Sequence, residues 1–242
     1  MGRLIVSLCC FAIMGILCCG GGAYAQTASM TLASPGINIM DGVYVDPYYA
    51  TINGATTLVI CDDYADDTYQ NESWTANLYD ISNVAQTRNT TKWALTAAQQ
   101  LQEYNEAAYL STELMGAFQS NNTIAAGELS FAVWGVFDPA AIPSLTNWNS
   151  TYGAAAQAYL NAAQTQTYTP GEFSNVQIYS PNTSDPITCP AGDTCGATAP
   201  PQEFLVVHTP EPPTPFVLGF DLLAVVASAF VWRRYLVRRT SN

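Results

Sequence analysis

Positive charge is almost missing from the middle of this 242-residue chain. Between residues 26 and 209 the only Lys or Arg residues are Arg88 and Lys92, against 17 Asp and Glu, so this segment carries a formal charge of −15. Such a surface repels nucleic-acid phosphates and anionic lipid headgroups, whereas it tolerates cations and neutral glycans. Binding to nucleic acid is therefore excluded.

Histidine is nearly absent as well, which restricts the catalytic chemistry. The one His, His208, lies in the apolar, strand-like run 203–209, with no nucleophile-elbow or metal-ligand pattern around it. We therefore expect a protein that is not an enzyme. An extracellular carbohydrate-active enzyme that uses paired carboxylates stays open as the alternative, because 17 acids make some close pair expected by chance.

Cysteine is scarce outside the first 25 residues, which hold four of the seven. The segment CPAGDTC closes a short loop rich in turn residues and predicts a disulfide between Cys189 and Cys195 in an oxidising compartment. Cys61 is left over, either as a buried free thiol or as a disulfide partner of one of the other two.

The N-terminal residues are typical of an export signal. Arg3 precedes an apolar stretch from Leu4 to Cys19, and Ala23-Tyr24-Ala25 places small residues at a cleavage point. We predict a signal peptide over residues 1–25, removed by signal peptidase after Ala25. A retained N-terminal membrane helix is the alternative.

The C-terminal residues combine three features. The motif Pro210-Glu211-Pro212 precedes an apolar run over residues 216–232, which is near the lower length limit for a transmembrane helix. A basic tail over residues 233–239 follows, with Arg233, Arg234, Arg238 and Arg239. The positive-inside rule places this tail in the cytoplasm, and it places the body of the protein, residues 26–209, outside. Together, residues 210–239 resemble the PEP-CTERM sorting signal, which the membrane protease/transpeptidase exosortase recognises.

This resemblance implies a route rather than an activity. The chain is expected to be exported by Sec in a Gram-negative-type bacterium and held briefly as a membrane-anchored precursor through its C-terminal helix. Exosortase would then process it for release or attachment at the cell surface, in an exopolysaccharide or biofilm matrix. An ordinary permanent membrane anchor is the alternative for the last helix.

The segment 26–209 is long enough for one extracytoplasmic domain with its own core. Strand patterns occupy 42–60 around the turn Asn53-Gly54, and then 74–82, 173–180 and 203–209, whereas helical patterns occupy 96–118, 124–137 and a stretch that starts at Ser150. This order predicts an α+β fold: an antiparallel β-sheet or sandwich with an inserted segment of about three helices.

The stretch from Gly42 through CDDY to Trp74, followed by AAYL and FAVWGVFDP, resembles the body of many exported PEP-CTERM proteins. More distantly, these segments are similar to thioester-forming adhesion domains, in which a strand-end Cys is joined to a Gln side chain. Cys61 matches that Cys, and Ala132-Val133-Trp134 matches the helix segment after the Gln. Ser130 stands at the Gln position and has no carboxamide, so we expect no thioester. A covalent thioester-type adhesin is the second alternative.

Four aspartates lie within the six residues that follow Cys61. Their oxygens are ligands that calcium accepts, although the EF-hand spacing is missing, so we expect at most weak binding and favour a solvated acidic turn. The candidate calcium ligands are Asp62, Asp63, Asp66 and Asp67. No other cofactor is expected. Several aromatic side chains are candidates for sugar contact or for the core, namely Tyr44, Tyr48, Tyr49, Trp74 and Trp148.

Overall fold

The computed structural model describes residues 26–185, 187–189 and 200–208. The predicted signal peptide, Cys195 and the whole predicted sorting signal, including Arg233, Arg234, Arg238 and Arg239, lie outside these residues. What the sequence predicts for them stays a prediction.

The described residues contain eight strands and five helices. The strands are β1 (Thr27–Ser34), β2 (Ile39–Met40), β3 (Val43–Tyr44), β4 (Tyr48–Ile52), β5 (Ala55–Cys61), β6 (Ser73–Asp80), β7 (Val176–Pro181) and β8 (Phe204–Val207). The helices are α1 (Arg88–Lys92), α2 (Ala97–Gln119), α3 (Thr123–Phe137), α4 (Ala141–Trp148) and α5 (Ser150–Gln164). The α+β class is confirmed.

The sheet is antiparallel, as predicted, but it closes into a barrel, so the predicted sandwich is wrong. Six antiparallel strands follow the order β1-β4-β5-β8-β7-β6, and β2 and β3 form a separate two-stranded hairpin. Closure depends on β1, which the sequence patterns above do not predict. Met30 of this strand lies opposite Ile52 on one side and Trp74 on the other, which leaves no free edge there.

The local turn chemistry agrees with the sequence. Asn53 and Gly54 join β4 to β5 with φ angles of 49° and 86°, the left-handed geometry that a two-residue hairpin turn requires. Along β1 the side chains of Ala28, Met30 and Leu32 alternate into the core. The barrel interior is therefore filled by the inward side chains of its strands.

All five helices lie between β6 and β7 in the chain, and the three long ones confirm the predicted helical segments. Side chains cap all three: Thr96 forms a capping box at α2, Asn122 accepts from the backbone at α3, and Asn149 does so at α5. The sequence patterns missed α1 and α4 because each is at most eight residues long. The insert therefore holds five helices, where about three were predicted.

The helical layer packs on one side of the barrel. Helix α3 contacts α2, α4, α5 and strand β5, and it is buried on nearly every face. Helix α2 contacts β8. The junction of β5, β8, α1 and α2 holds three buried acidic residues, Asp62, Asp63 and Glu203. No helix of the described residues has the length and apolar character needed to cross a membrane.

Two helical glycines test this packing as a matched pair. A Cβ on Gly153 of α5 would lie 2.5 Å from the Thr146 backbone Cα in α4, whereas a Cβ on Gly116 of α2 would meet nothing within 4 Å. We expect Gly153→Ala to destabilise the fold by about 1–3 kcal/mol, because α4 and α5 must separate. We expect Gly116→Ala to stabilise it by about 0.5–1 kcal/mol through helix propensity. Urea unfolding measures both, and equal stabilisation by the two changes would contradict the close approach of α4 and α5.

Candidate functional site: a buried charge cluster at the barrel–helix junction

Two carboxyl groups lie side by side where β5 ends and β8 begins. The backbone N–H of Asp62 donates to the carbonyl of Glu203 at 3.3 Å, next to the paired residues Cys61 and Phe204. Both acidic side chains are 0% exposed. Asp63, the next residue along, is 1% exposed. The predicted solvated acidic turn is therefore wrong for Asp62 and Asp63, because strand pairing and helix packing cover them.

Glu203 is well supplied with hydrogen-bond donors. Its Oε1 accepts from the Tyr104 hydroxyl at 2.5 Å, and its Oε2 accepts from the Arg88 backbone N–H at 2.7 Å. Burial raises the pKa of Glu203, while the Ser180 and Tyr104 hydroxyls and the Arg88 N–H oppose that increase. These donors favour the ionised form of Glu203.

Asp62 has the opposite surroundings. Neither of its carboxyl oxygens has a hydrogen-bond donor. Burial raises its pKa well above the ordinary value, and the neighbouring Glu203 carboxylate raises it further. Since two adjacent buried carboxyl groups cannot both ionise cheaply, we assign the negative charge to Glu203 and the proton to Asp62.

Helix α1 brings both cations of the body to the other side of these carboxyl groups. The charge cluster consists of Asp62, Asp63, Asp66, Arg88, Lys92 and Glu203. Arg88 Nη2 lies 3.0 Å from Asp66 Oδ2, and Lys92 Nζ lies 2.5 Å from Asp63 Oδ1 and 3.0 Å from Asp66 Oδ2. Arg88 and Lys92 are four residues apart, so one turn of helix presents them on the same face. The charges of Asp63 and Asp66 are thus matched by the two basic side chains.

These ion pairs bear on the predicted calcium site. Asp63 and Asp66 are occupied by Lys92 and Arg88, and Asp67 is exposed. Among the residues that the structure describes, no group of three or more His, Cys, Asp or Glu side chains is arranged to hold a metal ion. Calcium at these aspartates would have to displace the Lys92 ammonium, and its binding stays a prediction.

Cys61 is a buried free thiol, which settles the alternatives left open for it. Its Sγ donates to the Asp63 carbonyl at 3.2 Å. Burial raises the pKa of this thiol well above its ordinary value, so the reactive thiolate is disfavoured. Ser130, at the position of the missing Gln, forms a different interaction: its Oγ accepts from the Asp46 N–H at 3.0 Å.

Cys189 is disulfide-bonded, and its predicted pairing with Cys195 stays a prediction because Cys195 lies outside the described residues.

A second acidic pair lies on α2, and the sequence patterns did not single it out. Glu103 and Glu106 border a cavity of about 280 Å³ that is otherwise lined by Gln99, Gln102, Val136 and Gln164. Burial, with the Glu106 carboxylate beside it, raises the pKa of Glu103 to about 7. Glu103 Oε2 is buried without a hydrogen-bond partner. The sequence did contain a signal for this pair, because two Glu residues three apart on a predicted helix lie on the same face.

The predicted sugar-contact residues divide into two groups. Tyr44, Tyr49 and Trp148 are exposed, whereas Tyr48 and Trp74 are core residues. Tyr44 borders a cavity of about 210 Å³ next to the charge cluster, together with Pro35, Gly42, Val43, Tyr48, Tyr64, Asp67, Thr68, Trp134 and Gln202. Aromatic rings beside carboxylate, hydroxyl and amide groups suit a small polyhydroxylated ligand.

No family model, curated protein or solved structure matches this chain.

The proton on Asp62 predicts a pH dependence of stability. The pKa of Asp62 in the folded state is raised above its unfolded value of 3.8, so its contribution to stability is complete below that value and is lost as pH rises through the folded pKa. Asparagine cannot ionise and mimics the neutral acid. We therefore expect the thermal midpoint to fall less between about pH 5 and pH 8 in Asp62→Asn than in the wild type.

Asp67→Asn, a change at an exposed position on the same turn, is the control and should follow the wild-type curve. Thermal unfolding followed by circular dichroism gives all three curves. Parallel curves for Asp62→Asn and the wild type would contradict the assignment of a proton to Asp62.

Proposed function

We propose that this chain is an exported, non-enzymatic cell-surface or matrix protein, processed at both ends. The carrying observation is the tripartite tail: Pro210-Glu211-Pro212, the apolar run 216–232 and the arginine cluster after it. The fold is compatible with such processing. Strand β1 begins at Thr27, after the predicted cleavage point, and β8 ends at Val207, before the sorting motif. Cleavage at either place would leave every barrel strand intact.

Two further features support an extracytoplasmic location. Cys189 is disulfide-bonded, and disulfides persist in oxidising compartments. The only Lys and Arg residues of the body, Arg88 and Lys92, are turned into the charge cluster, which leaves an acidic surface. Such a surface would favour neutral glycans or cation-bridged contacts over direct binding to anionic polymers.

The proposed association is with exopolysaccharide, through the cavity that Tyr44 borders. Its volume of about 210 Å³ is smaller than the roughly 300–1,000 Å³ of drug-sized sites and suits a single small ring. The aromatic faces would pack against the C–H face of a sugar, while Asp67, Thr68 and Gln202 offer hydrogen bonds to its hydroxyls. A matrix protein needs only such weak, repeated contacts.

The carbohydrate-active enzyme is the second candidate. The Asp62 and Glu203 pair is fully buried, and a polymer could not reach it. The Glu103 and Glu106 pair is the better candidate for an active site, since a carboxyl group with a pKa of about 7 can serve as a general acid. Polysaccharide hydrolysis that is lost in Glu103→Gln would favour the enzyme over the matrix protein.

The tail is tested by the mass of the mature protein from a host that carries exosortase. We expect the wild type to lack the segment after about residue 212 and Glu211→Ala to retain it, because the motif is altered. Glu113→Ala, at an exposed position of α2, is the matched control and should be processed normally. A full-length C-terminus in the wild type would mean an ordinary anchor and would contradict processing.

The glycan contact is tested by comparing two exposed tyrosines. Tyr44 borders the cavity, whereas Tyr49 is exposed to a similar degree, 41% against 44%, and does not border it. We expect Tyr44→Ala to weaken retention on the host's purified exopolysaccharide by about two- to twelvefold, because the loss of one aromatic contact is worth about 0.5–1.5 kcal/mol. Tyr49→Ala should bind as the wild type does. Equal retention of all three proteins in affinity electrophoresis would contradict this site.

A further inference from the structure

We propose that Lys92 and Asp63 become joined by an intramolecular amide bond that forms spontaneously after folding. Lys92 is the single lysine of the 242 residues. Its Nζ lies 2.5 Å from Asp63 Oδ1, and the two side chains are 14% and 0% exposed. An amine and a carboxyl group held in contact and shielded from water are the two reactants of amide condensation.

The two oxygens of Asp63 have different surroundings. Oδ1 accepts from the backbone N–H groups of Ala65 and Asp66, each at 3.2 Å. Oδ2 is buried and has no hydrogen-bond partner. Oδ1 is therefore placed to carry the negative charge of a tetrahedral intermediate, as backbone donors do in an oxyanion hole. Oδ2 is the oxygen that can leave.

Asp66 is placed to act as the base. Its Oδ2 lies 3.0 Å from Lys92 Nζ and 3.0 Å from Arg88 Nη2. Burial alone would raise the pKa of Asp66, but the hydrogen bond from Lys92, the nearby Asp63 and the Arg88 charge lower it below the ordinary value. For Asp63, burial outweighs the opposing effect of Lys92, and its pKa is raised. Of the two carboxylates, Asp63 therefore takes up a proton more readily than Asp66.

The reaction balances with these three side chains and one proton that the Asp63 carboxylate first takes up from solvent. The Lys92 ammonium gives one proton to the Asp66 carboxylate, and the free amine attacks Cγ of the protonated Asp63 carboxyl. Negative charge collects on Oδ1 as the C–N bond forms. The nitrogen then passes a second proton to the Oδ2 hydroxyl, which leaves as water while the carbonyl reforms. Asp66 finally releases its proton to solvent and remains paired with Arg88.

Two physical effects favour condensation here over hydrolysis. Fixed reactants behave as if they were present at effective concentrations of roughly 10⁵–10⁸ M, which a bimolecular reaction in water cannot match. The bond also removes a buried ammonium and a buried carboxyl group, whose desolvation is costly. The product would tie the turn after β5 to α1, and hence the barrel to the helical layer. Such a link would protect an exported protein against unfolding and proteolysis.

The first test is mass spectrometry of the full chain after reduction and denaturation. We expect the wild type to be one water lighter than its sequence and Lys92→Arg, which keeps the charge but lacks the primary amine, to have its full mass. Within residues 26–208 trypsin can cut only after Arg88 and Lys92. In the wild type the bond after Lys92 should stay intact, and a branched peptide that contains Asp63 should be found. A wild type at full mass, cut after Lys92, would overturn the proposal.

The second test is chemical, and its first part uses the wild type alone. An amine-acylating reagent added in denaturant should fail to label Lys92 in the wild type, because its nitrogen is already an amide. Complete labelling of Lys92 would overturn the bond. Asp66→Asn removes the base while leaving both reactants, and we expect labelling of Lys92 to appear in that variant. If Asp66→Asn were as resistant as the wild type, the role given to Asp66 would be wrong.

Discussion

The removal of carboxyl groups from water at the junction of barrel and helices is the constraint on which this structure depends. Asp62, Asp63 and Glu203 are almost fully buried, and an unpaired buried charge costs several kcal/mol. The cost of burial is offset differently for each of the three: Asp62 keeps a proton, Asp63 forms an ion pair, and Glu203 accepts hydrogen bonds. Helix α1 supplies much of that compensation, so strand closure and helix docking are energetically linked.

The same arrangement shapes what the protein presents to its surroundings. Because Arg88 and Lys92 form ion pairs within the charge cluster, the surface of the body presents mainly acidic and neutral groups. Weak contact with neutral sugars through the Tyr44 cavity is consistent with that surface, and so is the proposed route out of the cell. A covalent bond between Lys92 and Asp63 would turn the internal ion pair into a permanent link between the barrel and the helical layer.

Local features were predictable from the sequence, whereas long-range pairing was not. The Asn53-Gly54 turn and the caps at Thr96 and Asn122 follow from short-range chemistry. Barrel closure depends on β1, whose buried Ala28, Met30 and Leu32 show the alternation of a strand, although that signal is weak in a run of small residues. The charge cluster joins residues more than a hundred positions apart. The sequence held one signal for this cluster: the only two cations of the body lie four residues apart.

Carbon NMR of the aspartate side-chain carboxyl groups through a pH titration would show whether Asp62 holds a proton inside the folded protein. We expect one resonance, missing from Asp62→Asn, that keeps the chemical shift of a protonated acid at neutral pH. A resonance of Asp62 that titrates near the ordinary aspartate value of 3.8 would contradict this expectation.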